Sequence, residues 1–343
     1  MSSPLAALDV ELPVLAAPMA GGASTPALVV AAARAGGFGF LAAGYKTPDQ
    51  LAGQIAAVRE QTETFGVNLF VPNPVPVDRA RFARYAAALQ AEADGYHLHL
   101  NGSDPTEDDD AWRDKVDLLL AAPVPVVSFT FNLPDPSVLQ AFRQAGTVIV
   151  QTVTSVEEAR QAAAAGADLL VVQASAAGAH SGTWTPEQIP APIPLTELVA
   201  AVRAATTVPI LAAGGLSTPA EVAAVRREGA VAVLAGTALL RSDESGASAV
   251  HQAALADPGR GDPVVTRAFT GRPARGLPNR FIEKYDPIAP AGYPALHHLT
   301  SPLRKAAAAA GDPELVHLWA GAGYRNATTG RAAAILTHLA SDS

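Results

Sequence analysis

The sequence predicts an α/β protein: a TIM-type (β/α)8 barrel with a smaller, mainly helical C-terminal subdomain or lid. Three observations predict it. Short runs of Val, Ile, Leu and Ala alternate with longer Ala-rich segments that keep apolar residues at helical spacing. The short runs are apolar throughout, as strands buried on both faces of a parallel sheet must be. About eight such units precede the point near Ser242 where the pattern stops, the number that closes a barrel. A doubly wound sheet is the competing arrangement, but no G-x-G-x-x-G follows a candidate strand.

The units follow in order. "LPVLAAPMAGG" is a strand and its loop, and "TPALVVAAARAGG" a helix stopped by glycine. "FGFLAAG" is the second strand, and "TPDQLAGQIAAVREQT" a helix entered through Thr-Pro. "FGVNLF" and "VPVVSFTF" are strands, with the helix "DRARFARYAAALQAEA" between them. "DPSVLQAFRQAG" is a helix with Gly146 past its end. "TVIVQTV" is a strand, and "SVEEARQAAAAG" a helix whose Ser155 and Glu158 fit a capping box. Strands "ADLLVVQAS", "VPILAAGG" and "AVAVLAGTALL" alternate with helices "LTELVAAVRAAT" and "STPAEVAAVRREG". The expected division is a barrel over residues 1–241, with a polar insertion near 94–112, and a mainly helical part over 242–343, parts of which return to the barrel. Within the insertion, "EDDD" reads as a solvated acidic loop ahead of the Trp112 helix rather than a metal ligand set.

Bulk properties narrow the function. The 343 residues are 49% hydrophobic, ample for a large core. A formal charge of −8 argues against a nucleic-acid or anionic-membrane surface. No cysteine is present, so disulfides and thiolate metal sites are excluded and a reducing compartment is expected. "MSSPLAALDVELP" lacks the basic and apolar regions of a signal peptide. Every apolar run is broken before the roughly 18 residues a membrane span needs. A soluble cytoplasmic protein, monomer or homodimer, is the expectation.

A barrel of this type carries its chemistry at the C-terminal ends of its strands. Those ends supply the candidates: Pro18 and Met19, Asn68, Ser128, Gln173 through His180, Gly214 and Gly215, and Ala235, Gly236 and Thr237. "AAGGLST" and "LAGTAL" place glycine where a strand gives way to a helix, which lets backbone N–H groups approach a phosphate. Asn68 and Gln173 end buried strands, where an unsatisfied amide costs on the order of 1–3 kcal/mol. They either bond loop backbone or face a polar heteroaromatic ring. His180 stands among Ala, Gly and Ser, which leaves room for a ligand, and a partly desolvated neutral imidazole is a competent base near pH 7. No G-x-S-x-G, P-loop, H-E-x-x-H or EF-hand pattern is present, and no metal is expected.

The ordered set "APMAGG", "GVNLF", "VQASAAGAHSG", "ILAAGGL", "LAGTALL", "TRAFTGRPARGLPNRF" and "HHLTSPLRKAAAAAGDPELVHLWAG" resembles the nitronate monooxygenase family, class I, over nearly the whole chain. The resemblance implies non-covalent FMN. It implies that Met19 meets the flavin through its backbone and that Asn68 and Gln173 bond its ring or ribityl region. Gly178, Gly215, Gly236 and Thr237 would hold the phosphate or line the flavin, with Pro18, Gly214 and Ala235 beside them. His180 falls on the family's catalytic histidine, as base toward a neutral nitroalkane or as orienter of a nitronate. O2 would be the second substrate, and a carbonyl compound and nitrite the products. Ser128, and Lys305 or an arginine from Arg272 and Arg275, would help hold the substrate. The chain departs from the family pattern at Ala174, Ala176 and Ala179, which stand for glycine, glutamate and glycine. Leu234 and Ala322 stand where glutamine is common. An NAD(P)H-dependent reductase of quinones or enoyl thioesters, and a binding barrel without catalysis, are the alternatives.

Overall fold

The computed structural model describes residues 10–342. The amino-terminal stretch read above as lacking a signal sequence lies outside them up to Asp9. Eight parallel strands form the barrel: β1 (Val14–Ala16), β2 (Phe40–Ala42), β3 (Gly66–Phe70), β4 (Val126–Thr130), β5 (Val148–Val153), β6 (Leu169–Gln173), β8 (Ile210–Ala213) and β9 (Ala230–Ala235). Neighbours run β1-β9-β8-β6-β5-β4-β3-β2. The ring closes where Ala16 bridges Gly39, the Ala16 N–H donating to the Phe38 carbonyl at 3.0 Å. A Cβ on Gly39 would lie 3.1 Å from Val29 Cα and 3.2 Å from Ala16 Cβ, so glycine is what permits the closure.

The outer helices are α1 (Pro26–Arg34), α2 (Pro48–Arg59), α4 (Trp112–Ala121), α5 (Pro136–Gln144), α6 (Val156–Ala164), α7 (Leu195–Ala205) and α8 (Pro219–Arg227), with α12 (Ala332–Leu339) returning last. Thr25, Thr47, Ser155 and Thr218 cap four of them with side-chain oxygens. The Ser155 cap is half of the expected capping box. The Glu158 carboxylate bonds Thr154 and the Trp184 N–H (2.8 Å) instead, tying α6 to the segment after His180.

Period-two alternation sorts each strand. Val67, Leu69, Val127 and Phe129 face the helices, while Phe40, Val126, Val150, Val171 and Leu211 fill the barrel. At the C-terminal end the inward positions turn polar: Asn68, Ser128, Thr130, Thr152 and Gln173.

A second core covers this end of the barrel. It joins α3 (Arg79–Asp94) to α9 (Ala249–Ala256), α10 (Arg280–Tyr285) and α11 (Ala295–Ala310), through Phe82, Tyr85, Phe269, Phe281 and Leu296 among others. Two helices cross the boundary drawn at residue 241. Ile335 and Leu336 of α12 pack in the barrel layer, and α3 packs in the second core, because each has an apolar face matching its distant partner.

A small antiparallel sheet links the two cores: β10 (Val264–Thr266), β11 (Ala274–Gly276) and β7 (Ala179–His180). His180 pairs with Ala274. It therefore sits on a two-residue strand rather than in the loop that its small neighbours suggest. No described helix is long and apolar enough to cross a membrane.

Candidate active site

A cavity of about 1260 Å³ opens between the C-terminal strand ends and the second core. Ligand pockets typically span about 300–1,000 Å³, so this one has room for a cofactor and a substrate together. Six described non-glycine residues have positive φ, and Tyr45, Asp110, Ala111, Phe131 and Ala179 among them line the cavity. Such backbone strain concentrates at functional sites.

Pro18, Met19, Asn68, Ser128, Gln173, Gly178, His180, Gly214, Gly215, Gly236, Thr237 and Lys305 all line it. Ala235 does not. It is the outward residue at the end of β9 and packs in the helix layer, leaving Leu234 to face inward.

The floor is a polar network. Asn68 Nδ2 donates to Ser128 Oγ and Thr130 Oγ1, both at 2.9 Å, and Thr130 and Thr152 hydroxyls meet at 3.2 Å. Gln173 accepts the Gly182 N–H at 2.7 Å, and its Nε2 approaches the His180 carbonyl at 3.4 Å. Both amides therefore have protein partners while lining the cavity, and Gln173 pins the chain just after the His180 ring, from its carbonyl to Gly182. Met19 donates its N–H to Ser24 Oγ (2.8 Å) and accepts from the Ser24 N–H (3.2 Å), which leaves only carbonyl lone-pair capacity for a ligand.

The glycine loops form a cradle. Gly214 and Gly215 have φ of +114° and +79°, open to glycine at little cost. A Cβ on Gly214 would lie 2.9 Å from the Ala174 carbonyl, and one on Gly321 3.0 Å from that of Ala176. The N–H groups of Gly215, Gly236 and Thr237 have no acceptor among the described residues. Free N–H groups in two neighbouring strand-end loops that line one cavity suit a phosphate.

His180 Nε2 lies 2.9 Å from Thr270 Oγ1, and Thr270 Oγ1 donates to the Arg272 carbonyl at 3.3 Å. With its one proton so used, the threonine accepts from His180 Nε2–H, and Nδ1 keeps a free lone pair. Burial, then the charges of Arg272 and Arg304, push the His180 pKa down to about 3. The ring is neutral.

Arg272 is fully buried and does not reach the cavity. Its guanidinium lies 3.8 Å above Phe131, whose ring meets His180 edge-on, and donates to the Thr183 carbonyl. Arg275 donates to the Ser175 (2.7 Å) and Pro263 (2.6 Å) carbonyls. Both arginines thus staple loops through backbone carbonyls and do not hold a small anion directly. Lys305 is exposed at the cavity edge.

Glu107, Asp108 and Asp109 of the acidic stretch are exposed, as a solvated loop should be, and Asp110 alone is drawn inward. Asp110 pairs with buried Lys115 at 2.8 Å and accepts the Tyr45 N–H at 2.9 Å, while Asp108 meets His298 at 2.9 Å. These contacts fold the segment against the cavity mouth. No group of three or more potential metal-ligating side chains exists among the described residues.

Residues that motif reading missed also face the cavity: Tyr45, Tyr293, His297, Arg304, His317 and Trp319. The helical spacing of His297, Ser301, Arg304 and Lys305 in "HHLTSPLRK" was the available signal, since it puts all four on one face of α11.

The fold and site define a barrel enzyme with glycine-lined loops at two strand ends and a half-buried neutral histidine at its mouth. The sequence profile described as nitronate monooxygenase matches residues 2–342. A probable nitronate monooxygenase of Staphylococcus aureus (strain MRSA252) is 37% identical over 337 residues, 97% of this chain and 94% of that protein. A crystal structure of nitroalkane oxidase from Streptomyces ansochromogenes superposes with TM-score 0.93 at 46% identity, covering 99% of this chain and 97% of the other. FabK from Thermotoga maritima is similar at TM-score 0.76 and 25% identity, covering 99% and 95%. The chain belongs to the nitronate monooxygenase family, and it is an oxidoreductase of the flavin-dependent kind.

Proposed function

We propose that the chain binds FMN and oxidises small alkyl nitronates, such as propionate 3-nitronate, with O2 to a carbonyl compound and nitrite. The observation that carries this is His180: a neutral ring with a free Nδ1, in a cavity that also holds the glycine cradle. Gly215, Gly236 and Thr237 N–H groups would take the phosphate. Asn68, Gln173 and Met19 would border the ring system, with Pro18, Gly178 and Gly214 beside them. Bound FMN supplies the redox step.

The protein's own part is to hold charge and proton. Arg272 and Arg304 make the cavity favourable to an anion and oppose an imidazolium at His180. His180 is therefore a weak base while the cavity lacks negative charge. It gains basicity as a substrate becomes anionic, because the proton then completes an ion pair. This favours a nitronate, already deprotonated, over a neutral nitroalkane. Ser128 and Lys305 border the substrate space.

The visible spectrum of the purified protein, together with O2 uptake and nitrite release on propionate 3-nitronate, tests the reading. Protein without flavin absorbance, or with flavin but no turnover, would sink it. Rapid anaerobic bleaching by NADH or NADPH would support the reductase alternative.

A further inference from the structure

The cavity holds a second polar group, built on Arg304, whose two histidines the reading above leaves unused. Arg304 of α11 is 5% exposed, and its partners are all neutral. Its Nε donates to Thr300 Oγ1 at 3.0 Å. Nη1 lies 3.2 Å from His317 Nδ1, and Nη2 lies 3.3 Å from His297 Nδ1 and 3.0 Å from the His297 carbonyl. A guanidinium has donors only, so both Nδ1 atoms must accept. The proton of each neutral ring then sits on Nε2. Neither Nε2 has a protein partner among the described residues, and neither is a sealed, unsatisfied atom. Both rings line the cavity.

These rings belong to a closed chain of contacts that includes His180. His297 stacks on Tyr45 with centroids 3.9 Å apart, and the Tyr45 and Tyr293 hydroxyls meet at 3.3 Å. Tyr293 lies 5.7 Å from His180 and Trp319 lies 5.9 Å from it on centroids. Trp319 is 5.4 Å from His317, and Arg304 returns the chain to His297. Two N–H donors backed by one buried cation thus stand in the same wall as the histidine with the free lone pair.

We infer that the Nε2–H groups of His297 and His317, fixed by Arg304, are the subsite that holds the oxygens of a small planar oxyanion, the nitro or nitronate group of the substrate. The inference rests on the proposed function for the identity of that group. The division of roles follows from proton placement. His180 keeps a lone pair for the substrate carbon side. His297 and His317 spend theirs on Arg304 and have only donors to offer. Burial and Arg304 also keep both rings neutral, so the donors persist across pH without adding a mobile charge.

Nitrite, a planar anion with two oxygens, is the probe, titrated calorimetrically into the protein as purified. His317→Phe and His297→Phe should each weaken nitrite binding about tenfold or more, as loss of a hydrogen bond to a charged group does. His317→Gln, which restores an N–H donor, should recover most of it. The Phe variants should raise KM for nitronates more than they lower kcat. His297→Phe, whose ring keeps the stack on Tyr45, carries the test should His317→Phe not fold. Wild-type protein with no saturable nitrite binding, or folded Phe variants that bind as tightly as wild type, would overturn the inference. Nitrite binding that depends on both histidines in a protein that turns over no nitronate would leave the subsite standing and remove the proposed function.

Discussion

Acid should unfold this protein through four histidines that the fold keeps neutral. Burial pushes the pKa of His180 down to about 3 and that of His251 to about 4, and holds His297 and His317 well below the ordinary value. In the unfolded chain each ring takes up a proton as pH falls through about 6.5. In the folded chain it does not until far lower. The stabilisation is complete above pH 6.5 and is lost on acidification, ending near pH 4 for His251 and near pH 3 for His180. Each ring contributes a slope of at most about 1.4 kcal/mol per pH unit in that window, so the four together reach at most about 5 kcal/mol per unit near pH 5. A domain stability of about 5–15 kcal/mol would be exhausted within a few units. Urea unfolding followed by circular dichroism from pH 7 to 4.5 measures the slope. His251→Gln keeps a donor for the Trp319 carbonyl, which His251 Nε2 bonds at 2.8 Å. That variant should remove about one proton from the count. A stability that stays flat between pH 6.5 and 5, or an unchanged slope in His251→Gln, would refute the neutral-histidine account.

Four further outcomes are expected. His180→Asn should purify yellow, and lose activity on neutral nitroalkanes far more than on pre-formed nitronates; equal loss on both would argue against a proton-transfer role. Gly236→Asp should strip the flavin by setting a carboxylate at the cradle. Gly236→Ala should retain it, because its Cβ would meet Ala17 Cβ at an ordinary 3.6 Å; full flavin occupancy in the aspartate variant would displace the phosphate assignment. Ala179 holds φ of +62°, so Ala179→Gly should raise stability by about 0.5–1 kcal/mol in urea titrations, and a loss would show the strain absent. Gly323→Ala would bring a Cβ onto Ser217 and to 2.7 Å from the Gly215 carbonyl. It should cost about 1–3 kcal/mol and loosen the flavin, read as a raised cofactor dissociation constant.

The fold was legible because barrel strands advertise themselves locally. Val126 to Thr130 and Leu169 to Gln173 are apolar on both faces until their last inward positions, and Thr25, Thr47 and Thr218 mark helix entries. The strand-end glycines Gly214, Gly215 and Gly236, which line the cavity, were legible because conformational freedom is a property of one residue. His180 stood out through its small neighbours, although its two-residue strand did not, being too short to carry a period. A strand end alone does not say which of two adjacent residues points inward, and only the packing separates Ala235, in the helix layer, from Leu234, which faces the barrel.

The sequence by itself determined the repeating strand–helix units, the polar ends of their strands and the glycines where those strands turn. Tertiary structure alone decided which charges matter. Arg304 meets His317 only because the segment after α11 doubles back, and Tyr45 stacks on His297 from 252 positions away in the chain. Arg272, conspicuous in sequence, is buried against Phe131. Local pattern is written in short-range sterics and periodicity. The electrostatics of a cavity depend on which distant segments the closing barrel and its second core press together.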